Sequence, residues 1–388
     1  MTGSFMITDL LPRPVGESGV MTDLRAQVRT FLGSLPDALR SELGGIDGWL
    51  TRWNPELSRA LAQQGWIGMT IPREYGGHGR SFLERFVVTE ELLAAGAPVG
   101  AHWAADRQVA PSILRFGNEQ LKKSYLPRIA AGECFFGIGL SEPDSGSDLA
   151  SIRTKATRDT GGWRLTGTKL WTSGAHLAHA FVVFARTSPL DAAHRHAGFS
   201  QFVVPLDDPG LEVRPVISAT GSHHFNEVVL TDVFVPDDHV LGDIGDGWTQ
   251  VTAELAFERS GPERFLSTYP MLTAALADPA LTGVLDRASV GRHVGRLGGL
   301  QEMSRSVAGA LQRGERADLP ASLVKLLGTT FEGDLVEWIH LALADAEAPL
   351  TETADRVRRG VGHRPAFTIR GGTNEILRGV IARGLGMR

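Results

Sequence analysis

The chain has 388 residues, 42% hydrophobic and 21% charged, with a formal net charge of −5, the profile of an ordinary soluble globular protein with room for two or three well-buried cores. An acidic balance without any dense Lys/Arg block argues against a nucleic-acid surface, and no run reaches the roughly 18 apolar residues of a membrane span. Cys134 is the only cysteine, which leaves no internal disulfide framework and no thiolate metal site; a reducing, cytoplasmic setting is expected.

Met1 to about Gly19 is rich in Pro and Gly and lacks a basic start followed by a long apolar core, so a loose extension is expected rather than a signal peptide. From about Met21 to Ala131 the pattern is helical. Leu57, Leu61 and Gln64 lead into a helix end at Gly65, residues 71–79 must be loop because they hold one proline and three glycines, Phe86, Glu90, Leu93 and Ala94 resume a helix, and Ile113, Leu114 and Phe116 close another before Gly117. Between about Phe135 and Gly242 the period changes. Residues 163–171 alternate after the turn Asp159-Thr160-Gly161-Gly162, one arm of a hairpin, and residues 181–185, 199–204 and 226–230 are further β runs. From Gly247 helices return. Asp318 is expected to cap a helix with Pro320 in its first turn, whose stripe runs through Leu323, Leu327, Phe331, Leu335 and Ile339. The order is helical, mainly antiparallel β, helical.

Four stretches could carry chemistry. Residues 136–148 concentrate Gly, Ser and Asp where helices give way to sheet; the stretch suits either main-chain hydrogen bonding to a flat polar ligand or a plain Ser/Asp turn cluster. Trp171-Thr172-Ser173 ends a strand with an aromatic and two hydroxyls, a ligand wall or a core tryptophan. Gly371-Gly372-Thr373-Asn374-Glu375 precedes apolar Ile376, Leu377, Val380 and Ile381 at helical spacing, so a glycine turn opens a helix there, an anion-friendly arrangement. Glu258 falls within an apolar face formed by Trp248, Val251, Leu255, Phe265, Leu266 and Tyr269 at about 100° per residue. A carboxylate so placed is either a general base raised by burial or a structural ion pair with Arg259 or Arg264, unless the kink at Gly261-Pro262 leaves it exposed. No Gly-x-Gly-x-x-Gly opens a helix after a strand and no Gly-x-Ser-x-Gly elbow is present, which argues against a Rossmann site and a serine hydrolase. His194, His196, His223 and His224 have no third ligand at a recognisable spacing, so no metal is expected.

Together these segments resemble the acyl-CoA dehydrogenase family from about Asp23 to the C-terminus. The matching stretches are residues 71–79, Arg115-Phe116-Gly117 with Tyr125-Leu126-Pro127, residues 140–148, 167–173 and 371–383, in the family's order and spacing. The resemblance implies an α+β multidomain fold: a flexible extension (1–20), an N-terminal helical domain (21–134), a middle antiparallel β domain (135–243) and a C-terminal four-helix bundle (244–388). It further implies FAD, an acyl thioester substrate on CoA or a carrier protein, electron-transfer flavoprotein or a similar acceptor, and a homodimer or homotetramer. Leu140 and Ser141 match contacts to the flavin ring, with Gly146 in the same loop; Trp171, Thr172 and Ser173 match the wall beside it. Ser147 falls where the family meets the acyl carrier, Arg287 matches an arginine that reaches the flavin diphosphate across a subunit contact, and Thr373 and Glu375 match cofactor contacts of the C-terminal loop. Many members carry the catalytic glutamate where this chain has Gly371, while another branch places it on a helix immediately before an arginine, as Glu258 precedes Arg259. Two further departures are Val290 in place of a usual aromatic and the absence of glycine from residues 344–349.

Overall fold

The computed structural model describes residue 10, residues 12–346 and residues 352–387, without the side chains of 255–258. Residues 1–9 and 11 of the expected N-terminal extension and part of the segment 344–349 therefore lie outside the described residues. Helix α1 (Gly19–Ser34) starts where the Ser18 hydroxyl accepts the Met21 amide, and Met21, Leu24, Val28 and Leu32 form its buried stripe. Short turns α2 (Asp37–Arg40) and α3 (Gly48–Thr51) follow. Helix α4 (Pro55–Gln63) is capped by Asn54 with Pro55 in its first turn, and the chain leaves it through Gly65 at φ 69°, a left-handed exit that glycine adopts without strain. The expected loop at 71–79 contains only one 3-10 turn, Arg73–Tyr75. Helix α5 (Phe82–Ala94) opens with a reciprocal Ser81/Glu84 capping box. Then come α6 (Gly100–Ala104), a π-helical turn at Ala105–Val109, α7 (Ala110–Phe116) and α8 (Glu119–Ala130), the last capped by Asn118.

The period-2 segments form one sheet: β1 (Phe136–Gly139), β2 (Lys155–Asp159), β3 (Gly162–Lys169), β4 (Ala180–Arg186), β5 (Phe199–Pro205), β6 (Leu211–Ile217), β7 (His223–Pro236) and β8 (Val240–Leu241), ordered β6-β7-β3-β2-β4-β5-β8 with β1 beside β4. The expected hairpin is β2–β3, paired from Lys155↔Thr166 to Asp159↔Gly162. Two parallel pairings, β1 with β4 and β2 with β4, interrupt the antiparallel pattern. Strands β1 and β6 escape the sequence pattern, since β1 is four residues long and Pro215 interrupts the apolar alternation of β6.

Helices α9 (Gly247–Arg259), α10 (Tyr269–Ala277), α11 (Arg287–Gln312), α12 (Asp318–Asp345), α13 (Glu352–Phe367) and α14 (Asn374–Gly384) complete the chain. Three expectations differ from the structure. The stripe from Trp248 to Tyr269 does not lie on one helix: α9 ends at Arg259 and a 3-10 turn, Pro262–Arg264, intervenes, because Pro262 cannot continue the hydrogen-bond ladder. Asp318 is the first residue of α12 and not its cap; Ala317 holds that position without a side-chain bond, and Asp318 pairs with Arg316 instead. The buried face of α12 also differs from the expected stripe, because steps of four residues drift around the helix: Leu327 is exposed, while Ala321, Val324, Lys325, Gly328, Phe331, Glu332 and Leu335 are buried.

Two compact units emerge, one of Met1–Trp49, Ser81–Pro98 and Ala256–Arg388, the other of Leu50–Arg80 and Val99–Leu255. In the first, α1 packs on α5, α5 on α11, α11 on α12, and α12 on α13 and α14. In the second, α7 and α8 cover one side of the sheet through Ile113, Leu121, Leu126 and Ile129 against Phe136, Val182 and Val203. Trp163, Leu165, Phe181, Phe202, Val228 and Val233 fill another core. No helix among the described residues is long and apolar enough to cross a membrane.

The buried face of α12 carries Glu332, which is fully buried and accepts the Thr268 amide at 3.3 Å. Burial raises its carboxyl from an ordinary 4.5 to about 8, although the Arg370 guanidinium opposes the rise. Between these values the folded chain holds a proton that the unfolded chain has released, so this group's contribution to stability falls as pH rises through that window. Glu332→Gln should flatten the pH dependence of the urea midpoint between about pH 5 and pH 8; an unchanged slope would refute the assignment.

Candidate functional site

In the sheet-containing unit the site is built around one buried lysine. The Lys169 side chain is fully buried at the end of β3, and its Nζ donates to Glu142 Oε1 at 2.8 Å and to the Leu140 carbonyl at 3.1 Å. The Glu142 carboxylate also accepts the amides of Arg153 at 2.6 Å and Thr154 at 2.9 Å. Burial raises the Glu142 carboxyl, but Lys169 and these amides more than offset it, and the net direction is downward; burial pulls Lys169 down to about 8 against the pull of Glu142. The Leu170 amide donates to the Ser141 carbonyl at 2.9 Å, so Leu140 and Ser141 are fixed beside the end of β3. Gly146 and Ser147 are exposed further along that loop, and a Cβ on Gly146 would meet nothing within 4 Å. A cavity of about 220 Å³ opens between Glu142, Asp144, Ser145, Arg153 and Thr168.

Trp171 is 51% exposed and adopts φ 65°, a left-handed backbone that costs a bulky residue on the order of 1–3 kcal/mol and concentrates at functional positions. It is held there. Its ring meets Phe225 edge-on at 5.4 Å, and the next residue, Thr172, exchanges main-chain bonds with Asn226 at 3.0 and 3.1 Å. Asn226 is oriented by His223, whose ring stacks on His176 at 3.9 Å. Gly174 then turns back at φ 66°, with no room for a Cβ, which would fall 2.3 Å from the Trp53 ring. Thr172 Oγ1 is buried without a partner, and among the described residues the Ser141 and Ser173 hydroxyls make no hydrogen bond. The strand end therefore presents a standing indole and unused hydroxyls.

In the helical unit, Arg259 ends α9 and donates from Nε to the Gly371 carbonyl at 3.1 Å. The side chain of Glu258, one residue earlier, lies outside the described residues. Gly371 and Gly372 adopt φ 68° and 85°, and the Thr373 hydroxyl caps α14 by accepting the Ile376 amide at 3.3 Å. Glu375 is exposed in the first turn, its carboxyl lowered by the main-chain amide there. A groove of about 430 Å³ runs past it between Thr330, Arg364, Thr368, Asn374 and Arg378. Arg287, the first residue of α11, is exposed and has no ion-pair partner among the described residues. Each unit thus gathers its own part of the expected set: Leu140, Ser141, Trp171, Thr172 and Ser173 in one, Arg259, Gly371, Thr373 and Glu375 in the other.

Residues 22–133 match the acyl-CoA dehydrogenase N-terminal domain and residues 137–233 the acyl-CoA dehydrogenase middle domain. Acyl-CoA dehydrogenase IpdE1 of Mycobacterium tuberculosis is 35% identical, over 93% of this chain and 96% of that protein. The chain belongs to the acyl-CoA dehydrogenase family. Among solved structures, the steroid acyl-CoA dehydrogenase Tcur3481-Tcur3483 matches with TM-score 0.84 and 29% identity, covering 96% of this chain and 99% of that one. The ChsE4-ChsE5 complex from Mycobacterium tuberculosis matches with TM-score 0.79 and 28% identity over 97% of this chain and 100% of that one. FAD is the cofactor of the acyl-CoA dehydrogenases, and the residues present fit it: the half-buried Ser141 and Ser173 hydroxyls and the standing Trp171 ring supply a donor edge and a stacking face for a flat heteroaromatic group.

Sequence reasoning missed Glu142, Lys169, Lys325 and Arg370. A signal existed for two of them. Lys169 sits in the apolar phase of β3, and Lys325 lies one turn from Ala321 and from Gly328 on the buried side of α12. Trp171→Asn, which tolerates the left-handed backbone, should leave the folded chain as stable or more so by up to about 1 kcal/mol while weakening FAD binding; unaltered FAD affinity would show that the indole serves packing alone.

Proposed function

We propose that the protein is an FAD-dependent dehydrogenase that forms a double bond between the α and β carbons of an acyl-CoA thioester, with Glu258 removing the α-proton. The observation that carries this reading is the strained, half-exposed Trp171 beside unused hydroxyls, a slot for a ring that needs one flat neighbour and a few donors. Bound FAD supplies the acceptor for the hydride that leaves the β-carbon. In the sheet-containing unit Leu140, Ser141, Gly146, Thr172 and Ser173 would hold the ring of an FAD and Ser147 would receive the carrier arm; in the helical unit Arg287, Thr373 and Glu375 would supply cofactor contacts.

Removing a proton next to a thioester carbonyl requires a base in a water-poor place and close control of distance. The last turn of α9 is fastened by the Arg259 bond to the Gly371 carbonyl, so the helix that bears Glu258 and the glycine loop hold a common position. Gly371 projects no side chain into the space where many relatives of this family place their base. That leaves room for a bulky acyl group, and the steroid-directed enzyme that shares this fold supports a polycyclic or branched one. Electron-transfer flavoprotein or a similar carrier then takes the electrons, and the protein works in the cytoplasm as a homo-oligomer.

A second reading is favoured by one observation: the similar solved structure of ChsE4-ChsE5 is a complex. This chain is then the non-catalytic partner subunit of a heteromeric dehydrogenase. Its sequence partner contributes to the flavin site, and the chain expressed alone is colourless.

Glu258→Gln should retain the yellow flavin spectrum and lose about 10²–10⁴-fold in dye-coupled turnover; full turnover in that variant would remove Glu258 from the mechanism. Offered a panel of CoA thioesters with an artificial acceptor, the enzyme should prefer bulky cyclic acyl groups over butyryl-CoA. A preference for short straight chains would refute the room assigned to Gly371.

A further inference from the structure

We infer that Lys325 is a positioning residue that holds the segment 368–375 in its cofactor-binding shape, an inference that rests on the reading of Thr373 and Glu375 as cofactor contacts. Lys325 lies on α12 and is fully buried. Its Nζ donates to the Thr368 carbonyl at 3.1 Å and to Asn374 Oδ1 at 2.8 Å. The Asn374 amide closes the same loop onto the Thr368 carbonyl at 2.9 Å, and Thr329, one turn along α12, donates from Oγ1 to Asn374 Oδ1 at 3.2 Å. A single ammonium therefore grips both ends of a loop whose middle is Gly371-Gly372. Two glycines at positive φ gain much conformational freedom if released, so the grip at the ends decides whether the loop has one shape.

The choice of lysine is informative. A buried ammonium carries a desolvation cost that its acceptors repay only when their geometry is fixed, so Lys325 is a poor source of net stability. What the lysine adds is specification of where Thr368 and Asn374 stand. Both line the groove of about 430 Å³ that also borders Glu375, and Thr373 and Glu375 are the immediate neighbours of Asn374. Lys325 itself is behind that wall, so it acts through the loop and not on a ligand. The other end of the middle is tied independently: Arg370 turns inward to Asp47 at 2.5 Å, with its guanidinium over the Trp49 and Phe367 rings at 4.6 and 5.2 Å.

The test compares the purified full-length chain with Lys325→Met, Asn374→Asp and Thr329→Val. FAD dissociation is followed by flavin fluorescence, and amide hydrogen exchange of residues 369–373 is followed without added FAD. Lys325→Met should raise the Kd for FAD about tenfold, the equivalent of about 1.4 kcal/mol, with kcat restored at saturating FAD. Exchange in the loop should quicken in the same variant. Asn374→Asp keeps the acceptor for the ammonium and should bind FAD within about threefold of the wild type, whereas Thr329→Val should weaken binding by about two- to threefold. A folded Lys325→Met chain with wild-type Kd and wild-type exchange overturns the inference. Should that variant fail to fold, Thr329→Val decides, because unchanged Kd and exchange there overturn it equally. A wild-type chain that binds no FAD sinks the reading of the site instead, and loop exchange in the variants still tests the clamp by itself.

Discussion

A lysine ammonium removed from water has to be met by acceptors held in place, since an incompletely paired buried charge costs several kcal/mol. Each compact unit of this protein contains one such group, and each is wrapped by the main chain of a functional loop. Lys169 is surrounded by the Leu140 carbonyl and the Glu142 carboxylate, which in turn collects the Arg153 and Thr154 amides. Lys325 gathers the Thr368 carbonyl and the Asn374 side chain. In both cases residues that would otherwise sit on mobile glycine-rich turns are bound to a rigid strand or helix. A site that must hold a flat cofactor to within a fraction of an ångström needs supports of this kind, because position and not composition sets the strength of each contact.

Strain is the complement of that rigidity. Trp171 and Asp47 are both non-glycine residues at positive φ, 65° and 56° respectively, and each is held by partners around it. The indole stands out of the sheet because Asn226 clamps the next peptide and the His176–His223 stack supports Asn226. Asp47 is fully buried and meets Arg370. Turning Arg370 inward removes a long cation from the neighbourhood of Gly371, so the same pairing that organises the helical unit's interior also clears the space proposed for the acyl group.

Much of this was legible in the sequence and some was not. The order helical, β, helical, the β2–β3 hairpin, and the glycine turn opening α14 follow from local periodicity and turn chemistry, and they are present. The short strand β1 carries too few residues for a period, and β6 has Pro215 within it, so neither announces itself. Asp318 has a capping residue's chemistry, yet it begins α12 and pairs with Arg316, because a nearby cation competes for a carboxylate more strongly than a main-chain amide does. The continuous stripe drawn through Glu258 failed at Gly261-Pro262, where the backbone changes course.

The sequence by itself determined the family, the succession of elements and the residue types gathered near Leu140, Trp171 and Gly371, because these depend on neighbours a few positions apart and on motifs with fixed spacing. Only the tertiary structure decided which lysines are buried, which asparagine each loop closes upon, and which aromatic is forced into a left-handed turn. Those outcomes join residues such as Asp47 and Arg370, or Lys325 and Asn374, that are far apart along the chain. Their energies come from desolvation and from the completeness of a surrounding set of partners, and neither quantity exists until the chain has closed around them.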